Sequence, residues 1–330
     1  MPKTVGIPRG LFFYEYYPLW KRFFEELGAQ VILSEPTSKQ ILDAGVKSCV
    51  DEACLPLKVF HGHVLNLVGK VDYLFIPRLT SVSKNEYICP KIGGLPDMIK
   101  HTLQGLPRII DTEINLRKSS SNAYKAAYEI GMNFSSNSTE IRKAYKKALQ
   151  SHEAHKEKLK SGILPDEIFS KKSARIHPKK ELTLDIAVIG HAYNLFDSYV
   201  SMEMLAKLRK NNINIHTIDM VDESDINQMH KALRKRMFWN FGRRAVGSAL
   251  HFLGREGMDG VIYVMSFGCG VDSFVCDMVE RRIRQNSDIP FIVLTLDEHS
   301  GEAGMDTRLE AFIDMIRWRK LNESNIPAYG

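Results

Sequence analysis

The sequence predicts an α/β protein of two doubly wound halves joined by a helical, basic connector. Three observations carry this reading. The apolar run Val261 to Met265, bounded by glycine, is a strand buried on both faces, and the period turns helical across Ser266 to Gly270. Strand and helix signals alternate through residues 1–116 and again through 181–330. Residues 117–180 between them are poor in β-formers and rich in Lys, Ala and Glu, the composition of a helical insertion.

In the N-terminal half, Val5 to Ile7 reads as a strand, Tyr17 to Leu27 as an amphipathic helix ending at Gly28, and Ala29 to Leu33 as a second strand. Ser38 to Leu42 begins a short helix. A stronger one runs from Pro56 to Val68, with Leu57, Phe60, Val64, Leu67 and Val68 on one face. Val71 to Pro77 and Pro107 to Asp111 are strands flanking a helix at Pro96 to Gln104. Within the connector, Thr139 to Lys160 is helical, with Ile141, Tyr145, Ala148 and Leu149 on its apolar side. A solvated face is expected for the rest of it.

The C-terminal half restarts with a strand, Leu184 to Ile189, that runs into Gly190-His-Ala-Tyr-Asn194. Val200 to Leu208 is a helix and Ile213 to Ile218 a strand. Met229 to Leu253 keeps helical spacing throughout, so one long helix is expected there. Pro290 to Leu296 is the last strand, and a helix starts at Thr307, where Thr307 and Glu310 have capping-box spacing.

A chain of 330 residues is long enough for roughly two domains. Because a strand is expected so close to Met1 and no apolar run spans a membrane, a cytoplasmic protein without membrane contact is expected. The net charge of +6 is uneven: Arg142 to Lys180 holds 12 Lys and Arg against 4 Asp and Glu, and the rest of the chain is slightly acidic. No base-reading motif accompanies that segment, so a nucleic-acid partner is not expected.

Five cysteines, an odd number without a CxxC pair, argue against disulfides, zinc ribbons and a local ferredoxin motif. Cys54, Cys89 and Cys269 nevertheless share a setting, each in a Gly- or Pro-containing loop before a helix. In a doubly wound fold such loops lie on the rim where strands end, so the three thiolates can meet and leave a fourth coordination position open. Taken singly, each cysteine is more often a small core residue. For Cys276, inside a helix, that reading wins, and Cys49 stays ambiguous.

His61 and His63 flank Gly62 in a helix and cannot share a face, which argues against a two-histidine metal site. One of them can support metal ligands from behind, as can Glu298 and His299 at a strand end. His152 and His155 have the spacing of a metal pair but are expected to be solvated. P-loop, dinucleotide and nucleophile-elbow motifs are missing, so any ATP hydrolysis is expected in a partner.

The segments VGIPRG, YEYYPLWKRFFEELG, CLPLKVFHGHV, ICPKIGGLPDMIK, MSFGCGVDSF and LDEHSGEAGMDTRLEAF resemble the acyl-CoA dehydratase activase-related proteins. These are relatives of the D component of 2-hydroxyacyl-CoA dehydratases and of the double-cubane cluster proteins. The resemblance covers most of the chain outside the connector. It implies two flavodoxin-like domains, with Cys54, Cys89 and Cys269 holding an iron-sulfur cluster of the 4Fe-4S or double-cubane type. It implies an ATP-hydrolysing iron-sulfur activator as electron donor, low-potential reduction or dehydration of a small substrate, and pairing with itself or with a homologous subunit. The competing expectations are a non-catalytic cluster-carrying or scaffold subunit, and a nucleotide- or zinc-binding α/β protein.

Overall fold

A computed structural model describes residues 2–165, 183–231, 233, 235 and 237–323. Residues 166–182, the end of the connector and the first two residues of the C-terminal half, lie outside the described residues. The N-terminal half contains β1 (Thr4–Ile7), α1 (Phe13–Glu26), β2 (Gln30–Leu33), α2 (Lys39–Ser48), α3 (Leu55–Leu67) and β3 (Tyr73–Phe75). It continues with β4 (Arg78–Ser81), α4 (Pro90–Gly93), α5 (Leu95–Thr102), β5 (Arg108–Ile110) and β6 (Glu113–Asn115). Helices α6 (Asn122–Gly131) and α7 (Ser138–Lys160) follow. The C-terminal half runs through β7 (Leu184–Gly190), α8 (Ala192–Leu195), α9 (Met204–Lys210), β8 (Ile213–Thr217), α10 (Glu223–His230) and α11 (Asn240–Leu253). It ends with β9 (Gly260–Ser266), α12 (Gly270–Asn286), β10 (Phe291–Leu296) and α13 (Glu302–Glu323).

Two four-stranded parallel sheets form, in the orders β2-β1-β3-β5 and β10-β9-β7-β8. Counted within its own half, each sheet has the order 2-1-3-4. The central strands are continuous apolar runs, as burial on both faces requires: Ile186, Val188, Ile262 and Val264 are fully buried. In this order the chain reverses direction across the sheet between the first and third strands, and the crevice at their carboxyl ends is the usual ligand position. For the C-terminal sheet those strands are β7 and β9. Gly190, closing β7, is required there, because a Cβ would lie 2.8 Å from the Val264 carbonyl oxygen.

The apolar side of α7 is buried as its spacing predicts, apart from the exposed Leu149: Ile141, Ala144 and Ala148 join a core that also takes residues from α1 and both four-stranded sheets. Three expectations are corrected. His152 and His155 are buried, not solvated, because they lie on that same inner face; His152 stacks on Tyr16 and His155 Nε2 bonds the Tyr14 carbonyl oxygen at 3.0 Å. The long helix expected over Met229 to Leu253 is two helices, since Tyr87 and Trp239 pair as strand residues and break it. The last helix starts at Glu302 rather than Thr307, so Thr307 is internal and its Oγ1 donates to the Ala303 carbonyl. A small parallel pair, β4 with β6, was not anticipated. Among the described residues no helix is long and apolar enough to cross a membrane.

Candidate functional site

Cys54, Cys89 and Cys269 are each the residue immediately before a helix: α3, α4 and α12. Pro56 and Pro90 suit the first turns of α3 and α4, where a missing N–H costs nothing. Gly268, at φ +74°, makes the left-handed turn that a side chain would resist, and delivers Cys269 beside α3. A Cβ there would lie 3.7 Å from Cys54 Cα, so a C-terminal loop abuts an N-terminal helix start. All three cysteines line one cavity, together with Glu15, His191, Tyr193 and Arg244.

Electrostatics in the cavity disfavour bare thiolates. Burial pushes the Cys54 thiol up, and burial followed by the Asp272 charge pushes Cys269 up to about 12. Cys54 and Cys89 add to the rise at Cys269, since three thiolates at close quarters repel. A bound cation reverses that balance. The donor set is therefore suited to a thiolate-binding metal group and poorly suited to a free nucleophile.

Beside Cys269 stands a second group of polar side chains. His191 follows β7 as Cys269 follows β9, so both come from the strand ends at the chain reversal. Its ring is clamped between Tyr193 and Phe241, with centroids at 4.6 and 3.4 Å. Burial, with Arg244 adding to it, lowers its pKa to about 3, so its 3.6 Å approach from Nε2 to Asp272 Oδ1 is a polar contact rather than an ion pair. Asp272 has no solvent exposure, and burial raises its pKa to about 7. Tyr263 Oη donates to Asp272 Oδ1 at 3.2 Å, and Asp272 N–H donates to Cys269 Sγ at 3.5 Å.

Glu15 and Arg244 line the same cavity. Arg244 Nη2 donates to Asp219 Oδ1 at 2.6 Å and Nη1 lies 3.7 Å from Glu15. Burial outweighs that cation and raises the Glu15 pKa to about 7. A carboxyl raised in the folded state adds stability below its unfolded pKa of about 4.3, and that stability is lost as pH rises to about 7. Glu15→Gln is expected to flatten the fall in unfolding free energy over this window, as measured by urea titrations at successive pH values.

The other candidates lie elsewhere. His61 and His63 are fully buried, but neither lines the cavity. His63 bonds Ser34 Oγ at 2.9 Å and Thr37 Oγ1 at 3.0 Å, and Thr37 in turn donates to Asp197. His61 Nδ1 bonds the Leu57 carbonyl oxygen at 2.8 Å. Glu298 is ion-paired with Lys58, bridging the halves without lining the cavity, and His299 is exposed. Cys276 packs in the core beneath α12, and Cys49 ends α2 outside the cavity. His191, Asp272, Glu15 and Arg244 were not singled out from the sequence. The signal for His191 was its place directly after a buried strand.

The fold and cavity define a parallel α/β protein with cysteines gathered at helix starts. The chain belongs to the family described as the CoA enzyme activase uncharacterised domain, whose match covers residues 4–221. That span includes Cys54, Cys89 and His191 and ends before Cys269. Comparison with curated proteins gives no match.

Proposed function

We propose that Cys54, Cys89 and Cys269 hold an iron-sulfur cluster, and that the protein works with a CoA enzyme as a relative of the 2-hydroxyacyl-CoA dehydratase D component. The observation that carries this is the three cysteines lining one cavity from three separate helix starts. The family description, a CoA enzyme activase, supports a partner of that class. The 2-1-3-4 order of both sheets supports a pair of flavodoxin-like units, divided at 1–116 and 181–330 around a 117–180 connector. An ATP-hydrolysing activator is the proposed electron donor, since the chain has no P-loop of its own.

Bound here, such a cluster would supply low-potential electron transfer and, with three protein ligands, one open iron position. The chain's own residues do the rest. The first N–H groups of α3 and α12 face a negatively charged group favourably. Tyr193 and Trp239 line the cavity and limit water, and Arg244 offers a fixed positive charge at the wall. Together they favour an anionic small substrate at the open side.

Anaerobic reconstitution followed by iron and sulfide analysis tests this reading. Wild type is expected to hold a cluster, and Cys54→Ser, Cys89→Ser and Cys269→Ser each to lose most of the iron. Cys49→Ser and Cys276→Ser are expected to keep it. Full iron retention in Cys269→Ser, or no cluster in wild type, defeats the proposal.

A further inference from the structure

We propose that His191, Cys269 and Asp272 form a mononuclear metal site for a zinc-class divalent ion. The ligand atoms of the three side chains all lie within 4.8 Å of one another. An imidazole nitrogen, a thiolate and a carboxylate are a zinc donor set, and three protein ligands leave a fourth position for water or substrate.

Independent support comes from Asp272. The side chain has no solvent exposure, and its Oδ2 has no hydrogen bond of good geometry among the described residues, although the Cys269 side chain and the Ser266 backbone lie near enough to lower its pKa. Its other oxygen is held by Tyr263. A buried carboxylate oxygen left unsatisfied points to a missing cation or donor. The surrounding fold also holds all three ligands in place. Cys269 and Asp272 sit three residues apart across the start of α12, and the His191 ring is sandwiched between Tyr193 and Phe241. The charges close as well: a thiolate, a carboxylate and a neutral imidazole balance a doubly charged ion, with one proton released from any thiol or carboxyl that was protonated. The site lies at the ends of β7 and β9, where a 2-1-3-4 sheet presents its ligand crevice.

This site needs neither Cys54 nor Cys89, and it shares Cys269 with the proposed cluster, so the two occupants exclude one another. Zinc(II) added to the full-length apoprotein, followed by competition with a chelator of known affinity, measures it. Wild type and the Cys54→Ser/Cys89→Ser double variant are expected to bind one zinc per chain with similar Kd. His191→Ala and Asp272→Asn are expected to weaken binding at least about 10-fold, with circular dichroism confirming that each is folded. Cobalt(II) gives a second readout: a thiolate-to-metal charge-transfer band in wild type and in the double variant, absent in Cys269→Ser. No zinc binding by wild type overturns the site. So does wild-type affinity in both His191→Ala and Asp272→Asn, or loss of binding in the Cys54→Ser/Cys89→Ser variant. The cluster is read separately by iron and sulfide, so either assignment can fail while the other stands.

Discussion

Arg243→Ala is expected to lower the unfolding free energy by about 3–5 kcal/mol, a large part of the about 5–15 kcal/mol that holds a typical domain folded. Glu86 and Arg243 are ion-paired with side chains only 3% and 4% exposed, so removing the guanidinium leaves a carboxylate buried without its charge partner. Asn240 Nδ2 and Ser83 Oγ also donate to Glu86 Oε2, at 2.8 and 2.5 Å. Burial pushes the Glu86 pKa up, but these donors and Arg243 outweigh it and hold the carboxyl below its usual range. A depressed carboxyl contributes stability above its unfolded pKa of about 4.3, and the contribution is lost as pH falls through the folded value. Arg243→Ala is expected to weaken that acid dependence as well. Urea titration of Arg243→Ala, Glu86→Gln and the double variant checks the expectation. Glu86→Gln in the Arg243→Ala background should restore part of the loss, and simple additivity of the two effects would argue against a coupled pair.

The same contact has a consequence at the cavity. Tyr87 N–H donates to the Phe238 carbonyl at 2.7 Å and Asn240 N–H to the Tyr87 carbonyl at 3.0 Å, so the loop that carries Cys89 is fastened to the C-terminal half. Loosening it is expected to shift Cys89 relative to Cys269, so on the proposed cluster reading Arg243→Ala should take up iron more slowly in reconstitution.

What was legible in the sequence follows from how local each signal is. The buried strands were readable because a strand covered on both faces has no choice but a continuous apolar run, as in Val261 to Met265. That Cys54, Cys89 and Cys269 come to one cavity was readable because each lies in a Gly- or Pro-containing loop before a helix, a setting marked in the chain itself. By contrast, β4 and β6 are too short for any period to show, and their pairing depends on neighbours outside the main sheets. The Thr307 capping signal lost to packing: Met305 and Leu309 are both buried on one face, which extends the helix back to Glu302. Asp272 carried no mark, and His191 only its place directly after a buried strand. They meet only because β7 and β9 run side by side in parallel register, Gly190 opposite Val264, a fact that linear spacing over some 80 residues does not contain.

Gly62→Ala is expected to destabilise the protein by about 3 kcal/mol or more and to disturb the cysteine cavity with it. Helices α2 and α3 touch backbone to backbone: a Cβ at Gly62 would lie 1.9 Å from the Ile41 carbonyl oxygen, and one at Gly45 1.8 Å from that of Lys58. No flexible side chain can yield there, so the helices must part. A helix-propensity gain of about 1 kcal/mol from Gly to Ala is too small to offset this. Gly304→Ala is the matched control, since its Cβ would meet nothing within 4 Å inside α13, and it should be neutral or slightly stabilising. Because α3 begins at Cys54 and carries Lys58, parting the helices shifts one thiol of the cavity and strains the Lys58–Glu298 bridge between the halves. Denaturation midpoints of the two alanine variants, with iron uptake measured on each, test both consequences. Equal stability of Gly62→Ala and wild type would mean that the α2–α3 contact is looser than described.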